Sequence, residues 1–408
     1  MEVKIMRFFL GGVPFGCDNI GDEAILAGVV RILRRNFKNT EITVSTGEPD
    51  KTASLLGVKG VPLYGFKPEH PLSNLSNSLK NHDTFVWAGA TGLSDYPALA
   101  TQIVSIAQRQ GLKTVVWGVG MDSTFNPALF KLAGKKLFIC KLLKKVSANT
   151  IDAPTRVEEY FIRNIQKRIA KVLSKCNLLV CRDPESRKSL LDCSSALHVT
   201  VGADSAIVFD QPNLASISHL SGEILDALSG SYEKIGVCIS SQRSIQNTDS
   251  LIEALDSIVS SPSRRMFFIP MNPKTDYELM GKLRGQMKNQ KKCFLLAGCE
   301  EPEQVLTLAS LCSVVISSRL HLLILSANVK TPIIGISRGS KIDNFLGQFG
   351  FKSAGDVYNC NFNHIQSETD RLISNPLPYR EKRDQVYRHL HERLSFAESL
   401  LVKKLTLS

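Results

Sequence analysis

Residues 314–330 read VVISSRLHLLILSANVK. Residues 314–316 are expected as the end of a buried strand, Ser317 and Ser318 as a small polar turn, and residues 322–329 as an apolar helix with Arg319 and His321 at its mouth. A helix start presents unpaired backbone N–H groups and a partial positive charge, so it suits an anion. An arginine fork and an imidazole at the same point add a bidentate donor and a proton that moves near neutral pH. The same residues also suit a plain cap, with Ser317 or Ser318 closing the helix and Arg319 reaching water.

The unit of strand, small-residue turn and helix recurs outward in both directions. Before it come strands at 235–240, 265–271 and 293–296, separated by helices at 248–260, 277–288 and 303–310. After it come a strand at 332–336, then helices at 364–375 and 379–405. The first half has the same grammar. A strand at 4–10 ends at Gly11–Gly12, and glycines 11, 12, 16 and 21 give an open loop before Asp22 caps a helix over 23–35. Further strands are expected at 41–45, 83–87, 113–118, 178–181 and 199–202, with helices at 97–109, across 128–175 and from Ser186. Strands that repeatedly end in glycine-containing loops before helices specify parallel sheets covered on both faces. The polar stretch 211–232 is expected to cross between halves. The fold class is therefore α/β: two Rossmann-like domains, 1–212 and 233–376, in a GT-B-type arrangement with the site in the cleft between them. A long C-terminal helix within 377–408 is expected to pack back on the first domain.

The chain has 408 residues, 43% hydrophobic and 22% charged, the composition of a globular protein with room for more than one core. Its net charge of +12 points to a negatively charged partner. Nucleic acid is the poorest fit, because no aromatic-rich basic strand, zinc spacing or arginine-rich tail is present. The ten cysteines are scattered without a C-x-x-C pair, the pattern of reduced thiols, so the expected location is cytoplasmic. No run reaches a membrane span's roughly 18 apolar residues. The basic run GKKLFICKLLKKV at 134–146 is expected as the solvated face of a domain helix, with at most weak peripheral contact at an anionic inner membrane face. No Asp, Glu or His group has the spacing of a metal site.

Five segments carry a resemblance to a known family: DNIGDEAIL at 18–26, RDPES at 182–186, ADSA at 203–206, SSRLHLLILSA at 317–327, and Lys341 in GSKIDNFLGQFG. In this order, over nearly the whole chain, they resemble the polysaccharide pyruvyl transferases. Two loops depart from that family's glycine pattern, AGATG at 88–92 and GVGMDSTFNP at 118–127. The resemblance implies transfer of a pyruvyl group from phosphoenolpyruvate to two hydroxyls of a sugar, free or lipid-linked, as a cyclic ketal, with phosphate released. Phosphoenolpyruvate is then a donor substrate, and no cofactor is implied. A donor with a phosphate and a carboxylate asks for several fixed cations. The resemblance assigns donor binding to Arg182, Arg319, Leu320 and Lys341, and acid–base work to His321 with Asp204. The acceptor side falls to Asp18, Asn19, Asp22 and Glu23. Two other readings stand beside this one: a GT-B glycosyltransferase with a nucleotide-sugar donor, and a non-catalytic glycan-binding relative.

Overall fold

The computed structural model describes residues 5–122, 125–146, 150, 152–243 and 245–406. Lys4 at the expected start of the first strand, Ser123 and Thr124 of the 118–127 loop, and four positions of the expected 128–175 helical stretch (147–149 and 151) lie outside the described residues.

The described strands form two sheets. The first is seven-stranded. It holds β1 (Met6–Phe15), β2 (Thr40–Thr46), β3 (Lys59–Pro62), β4 (Thr84–Ala88), β5 (Lys113–Val119), β6 (Leu178–Cys181) and β7 (Thr200–Val201) in the order β3-β2-β1-β4-β5-β6-β7. The second is five-stranded. It holds β8 (Glu233–Cys238), β9 (Arg264–Phe268), β10 (Cys293–Leu295), β11 (Val314–Ser317) and β12 (Ile333–Gly335) in the order β10-β9-β8-β11-β12. Every strand pair is parallel. Helices cover both faces, so β4 and β11 are buried along their whole length, as parallel strands with no solvated face must be. In each sheet the strand order reverses once, between β1 and β4 and between β8 and β11. These are the points where an open α/β sheet leaves a crevice at its strand ends.

Several elements differ from the sequence expectation. β1 does not stop at Gly11–Gly12 but runs to Phe15, with a register shift between Leu10 and Phe15. Gly12 lies on the ring of Trp87, at a φ of 88°, where a Cβ would fall 2.1 Å from the indole. The first helix starts at Ile20, and its N-cap is Asn19, whose side chain accepts from the Gly21 N–H; Asp22 is already helical. The stretch 211–232 contains a helix, Gly222–Ser229. Lys341 lies in the first turn of a helix, Ser340–Gln348, for which the sequence reading had no element.

The two sheets are joined by direct contacts. The Ile20 N–H donates to the Met271 carbonyl at 3.1 Å, and Asn328 Nδ2 donates to the Ala206 carbonyl at 2.8 Å. The last helix, Leu377–Thr406, touches both halves. Tyr387 donates to Asn328 Oδ1 at 2.7 Å. Further along, Glu398 accepts from Arg35 Nε at 2.9 Å and from Asn36 Nδ2 at 2.7 Å.

Candidate active site

A cavity of about 250 Å³ opens where strand ends of the two sheets meet. The first half contributes Pro14 on β1, Asn19, Gly21 and Asp22 at the start of the Ile20–Asn36 helix, Ala90 and Thr91 after β4, and Arg182 after β6. From the second half come Gln242 beyond β8, Arg319, Leu320 and His321 after β11, and Arg338 and Lys341 after β12. Both strand-order reversals therefore face the same space.

Four cationic side chains line it. Arg182 is buried and held by two carboxylates, Nε to Asp183 Oδ2 at 3.2 Å and Nη1 to Asp204 Oδ2 at 3.4 Å. Arg319 is buried too, and its fork is committed. Nε and Nη2 each donate to Asp276 at 2.8 Å. Asp276 is fully buried and also accepts the N–H groups of Ser241 and Asn272, both at 3.0 Å. Arg338 donates to the Ser318 carbonyl at 2.6 Å, and to Ser240 Oγ and the Gln242 carbonyl at 2.9 Å. Burial and the neighbouring Arg319 charge lower its guanidinium to about 10. Among the described residues Lys341 has no ion-pair partner. Its position in the first turn of a helix adds backbone donors to its charge.

His321 lies against the Ile20–Asn36 helix at Gly21, where a Cβ would stand 2.3 Å from the imidazole Nδ1. Its Nε2 is 3.5 Å from Asp204 Oδ2, within ion-pair reach but without a formed hydrogen bond. Asp204 also caps the short turn Ser205–Val208 by accepting the Ala206 N–H at 3.0 Å. Burial alone would raise the Asp204 carboxyl. The His321 and Arg182 charges and the Ala206 N–H outweigh that and hold it at about 2. Asp22 has the opposite balance. Burial raises its carboxyl, only partly offset by His321 and by the hydrogen bond from Asn19 Nδ2 at 2.7 Å. The two carboxyls near His321 are thus shifted in opposite directions, Asp204 downward and Asp22 upward.

The structure brings Arg182, Arg319, Leu320, His321, Lys341, Asn19 and Asp22 to one cavity, with Asp204 behind His321 and Arg182 in a small adjoining space. It divides the expected acceptor side. Asp18 and Glu23 line a second cavity of about 250 Å³ on another face of the same helix. There Asp18 pairs with Lys274 of the other half at 2.6 Å, and Glu23 accepts the Gly16 N–H at 2.7 Å. Burial pushes the Glu23 carboxyl up to about 7. The reading from sequence missed Arg338, Asp276, Gly21 and Gly120. A signal for Arg338 existed, since it follows a strand within three residues, as Arg182 and Arg319 do. Gly120 is a seat for Arg182, with a Cβ position 2.5 Å from its Cζ. Asp276 has no local signal. Among the described residues no group of three His, Cys, Asp or Glu side chains could hold a metal ion, and no helix is long and apolar enough to cross a membrane.

The family model described as polysaccharide pyruvyl transferase matches residues 19–340, most of the chain. A comparison with curated proteins gave no match. Among solved structures, similar ones include Anabaena HepE in complex with UDP-glucose, at TM-score 0.61 and 11% identity, covering 99% of this chain and 100% of that one. UDP-GlcNAc 2-epimerase from Neisseria meningitidis bound to UDP-GlcNAc has TM-score 0.59 and 12% identity, with coverage of 99% and 100%. A putative UDP-N-acetylglucosamine 2-epimerase from Listeria monocytogenes has TM-score 0.59 and 12% identity, with coverage of 95% and 91%. At such identities the likeness shows the fold, which is GT-B.

Proposed function

The chain belongs to the polysaccharide pyruvyl transferase family, and from that premise we propose that it transfers the pyruvyl group of phosphoenolpyruvate to two hydroxyls of a glycan sugar. The observation that carries this reading is the grouping of Arg182, Arg319, Arg338, Lys341 and His321 around one cavity of about 250 Å³. Phosphoenolpyruvate presents a phosphate and a carboxylate on a three-carbon core, and binding both takes several fixed cations.

In this reading one sugar hydroxyl adds to C2 of the enolpyruvyl group while C3 takes a proton and becomes a methyl. A second hydroxyl then displaces phosphate from C2, closing the ketal. Two hydroxyl protons are lost, one proton ends on C3, and the other leaves with phosphate. His321 supplies the C3 proton, and the ionised Asp204 beside it favours the imidazolium that this requires. Asp22, with its raised carboxyl facing the cavity, takes the hydroxyl proton. Arg182, Lys341 and Arg338 receive the donor's charges. Arg319, whose Nε and Nη2 are held by Asp276, contributes chiefly a fixed field at the helix mouth.

The test is phosphate release from phosphoenolpyruvate with a panel of sugar acceptors, alongside the thermal shift each ligand causes. A shift with phosphoenolpyruvate, and phosphate release that needs both an acceptor and His321, is the expected result. The competing reading, a nucleotide-sugar glycosyltransferase, draws on the fold shared with proteins solved with UDP-sugars. A shift with UDP-glucose and none with phosphoenolpyruvate would favour it.

A further inference from the structure

The helix Gly134–Val146 stands apart from the main core. Its one buried residue, Cys140, joins Leu132 and Ala153 in a small separate cluster, with Leu137 and Val157 packed against it. The rest of its apolar side chains do not turn inward as a solvated domain helix would require. Phe138, Ile139, Leu142, Leu143 and Val146 are all exposed, from 52% at Leu142 to 77% at Val146. Their spacing, 138–142–146 and 139–143, places them on one outward face, since residues four apart share a helix face. Lys136 borders that face on one side, and Lys141 and Lys145 on the other, all three exposed.

We propose that this face docks on an anionic lipid bilayer, with the five apolar side chains at the acyl boundary and the flanking lysines at the headgroups. An apolar stripe bordered by lysines on a helix lying in the interface plane is the arrangement that binds such surfaces. Charge selects the occupant. A second copy would bring the same lysines against each other, whereas anionic headgroups complement them, and the chain's net charge of +12 acts in the same direction. The docking stands independently of which reaction the cavity performs.

The test is sedimentation of the full chain with vesicles of phosphatidylcholine alone or mixed with phosphatidylglycerol. The expected result is cosedimentation with the mixed vesicles, weakened by salt but not abolished. Replacing the exposed Phe138 and Leu142 together by Asp should lower partitioning by about tenfold or more, as should reversal of Lys136, Lys141 and Lys145 to Glu. As a readout that needs no loss of function, the emission of a Phe138→Trp variant should move to the blue on mixed vesicles only, because Trp87 and Trp117 are already buried. Failure of the wild-type chain to sediment, binding unchanged in both variants, or a Phe138→Trp emission indifferent to lipid would each overturn the proposal. So would lipid-free self-association that the Asp replacements abolish, which would assign the face to a second copy.

Discussion

At the scale of single residues, Arg319 and Arg338 differ in what they hold. Arg319→Ala leaves the fully buried Asp276 without its ion-pair partner, and breaking such a pair costs about 3–5 kcal/mol. Urea denaturation should register that loss. Arg338→Ala strands no carboxylate, because its partners are two carbonyls and a hydroxyl. It should leave stability within about 1–2 kcal/mol of wild type while weakening donor binding by about tenfold or more. If Arg319→Ala is as stable as wild type and only binding fails, the Asp276 pair is not structural. Gly21→Ala asks less of stability and more of chemistry. The new Cβ would displace the His321 ring, and a reacting group moved by about 1 Å can lose roughly 10²-fold in turnover. Full turnover of Gly21→Ala would mean that His321 need not lie where it does. Glu23 makes a pH prediction. Its carboxyl in the folded chain, at about 7, lies above the ordinary 4.5, so between those values the folded chain holds more proton than the unfolded one. Stability from this group is complete below pH 4.5 and is lost as pH rises through 7. Glu23→Gln should flatten that slope and stabilise the protein above pH 7 by about 1–3 kcal/mol, read from denaturation midpoints across pH.

At the scale of elements, the helix Pro97–Arg109 has the bounds its sequence announces, from a proline at its first turn to the glycine at 111. The strands at β4, β5, β6, β8 and β11 were legible for a related reason, as short apolar runs closed by small residues. What was not legible depended on partners distant in sequence. β1 continues through two glycines because Gly11 pairs with Trp87 and Phe15 with Thr46, and this outside pairing overrides the local weakness of glycine in a strand. β3 is a four-residue edge strand ending in proline, with no periodicity to announce it. In the site, Arg319 and His321 could be read because they stand between a strand end and a helix start, whereas Arg182 and Lys341 entered through the family resemblance, Lys341 in a helix that the sequence did not announce. Asp276 could not be read, being brought to Arg319 across 43 residues of sequence. The start of the first helix shows how a cap can be misassigned. Asn19 and Asp22 both suit an N-cap, but only Asn19 keeps extended backbone there, and its Nδ2 then donates to Asp22. Asn19→Ala should therefore cost about 1 kcal/mol of stability. It should also change the pH dependence of turnover, because Asp22 loses a donor that favours its ionised form. A pH profile identical to wild type would show that Asp22 does not act in the reaction.

At the scale of the whole molecule, the two sheets are tied by the Leu377–Thr406 helix as well as by the direct contacts around the cavity. Glu398, 8% exposed, gathers Arg35 and Asn36 from the first helix of the chain. Glu398→Ala removes those hydrogen bonds but leaves Arg35 open to water and Asn36 on the Ile32 carbonyl, so it should lower stability by about 1 kcal/mol, measured by thermal or urea unfolding. An unchanged midpoint would mean that the tie is decorative. The same tie spans 363 residues between Arg35 and Glu398. On a ribosome adding about 5–20 residues per second, Arg35 waits roughly 20–70 s for its partner to be synthesised. During that interval the surface that the last helix will cover is bare. A slowly translated message would lengthen that exposure, whereas a chain refolding from denaturant would have its final helix at hand from the outset.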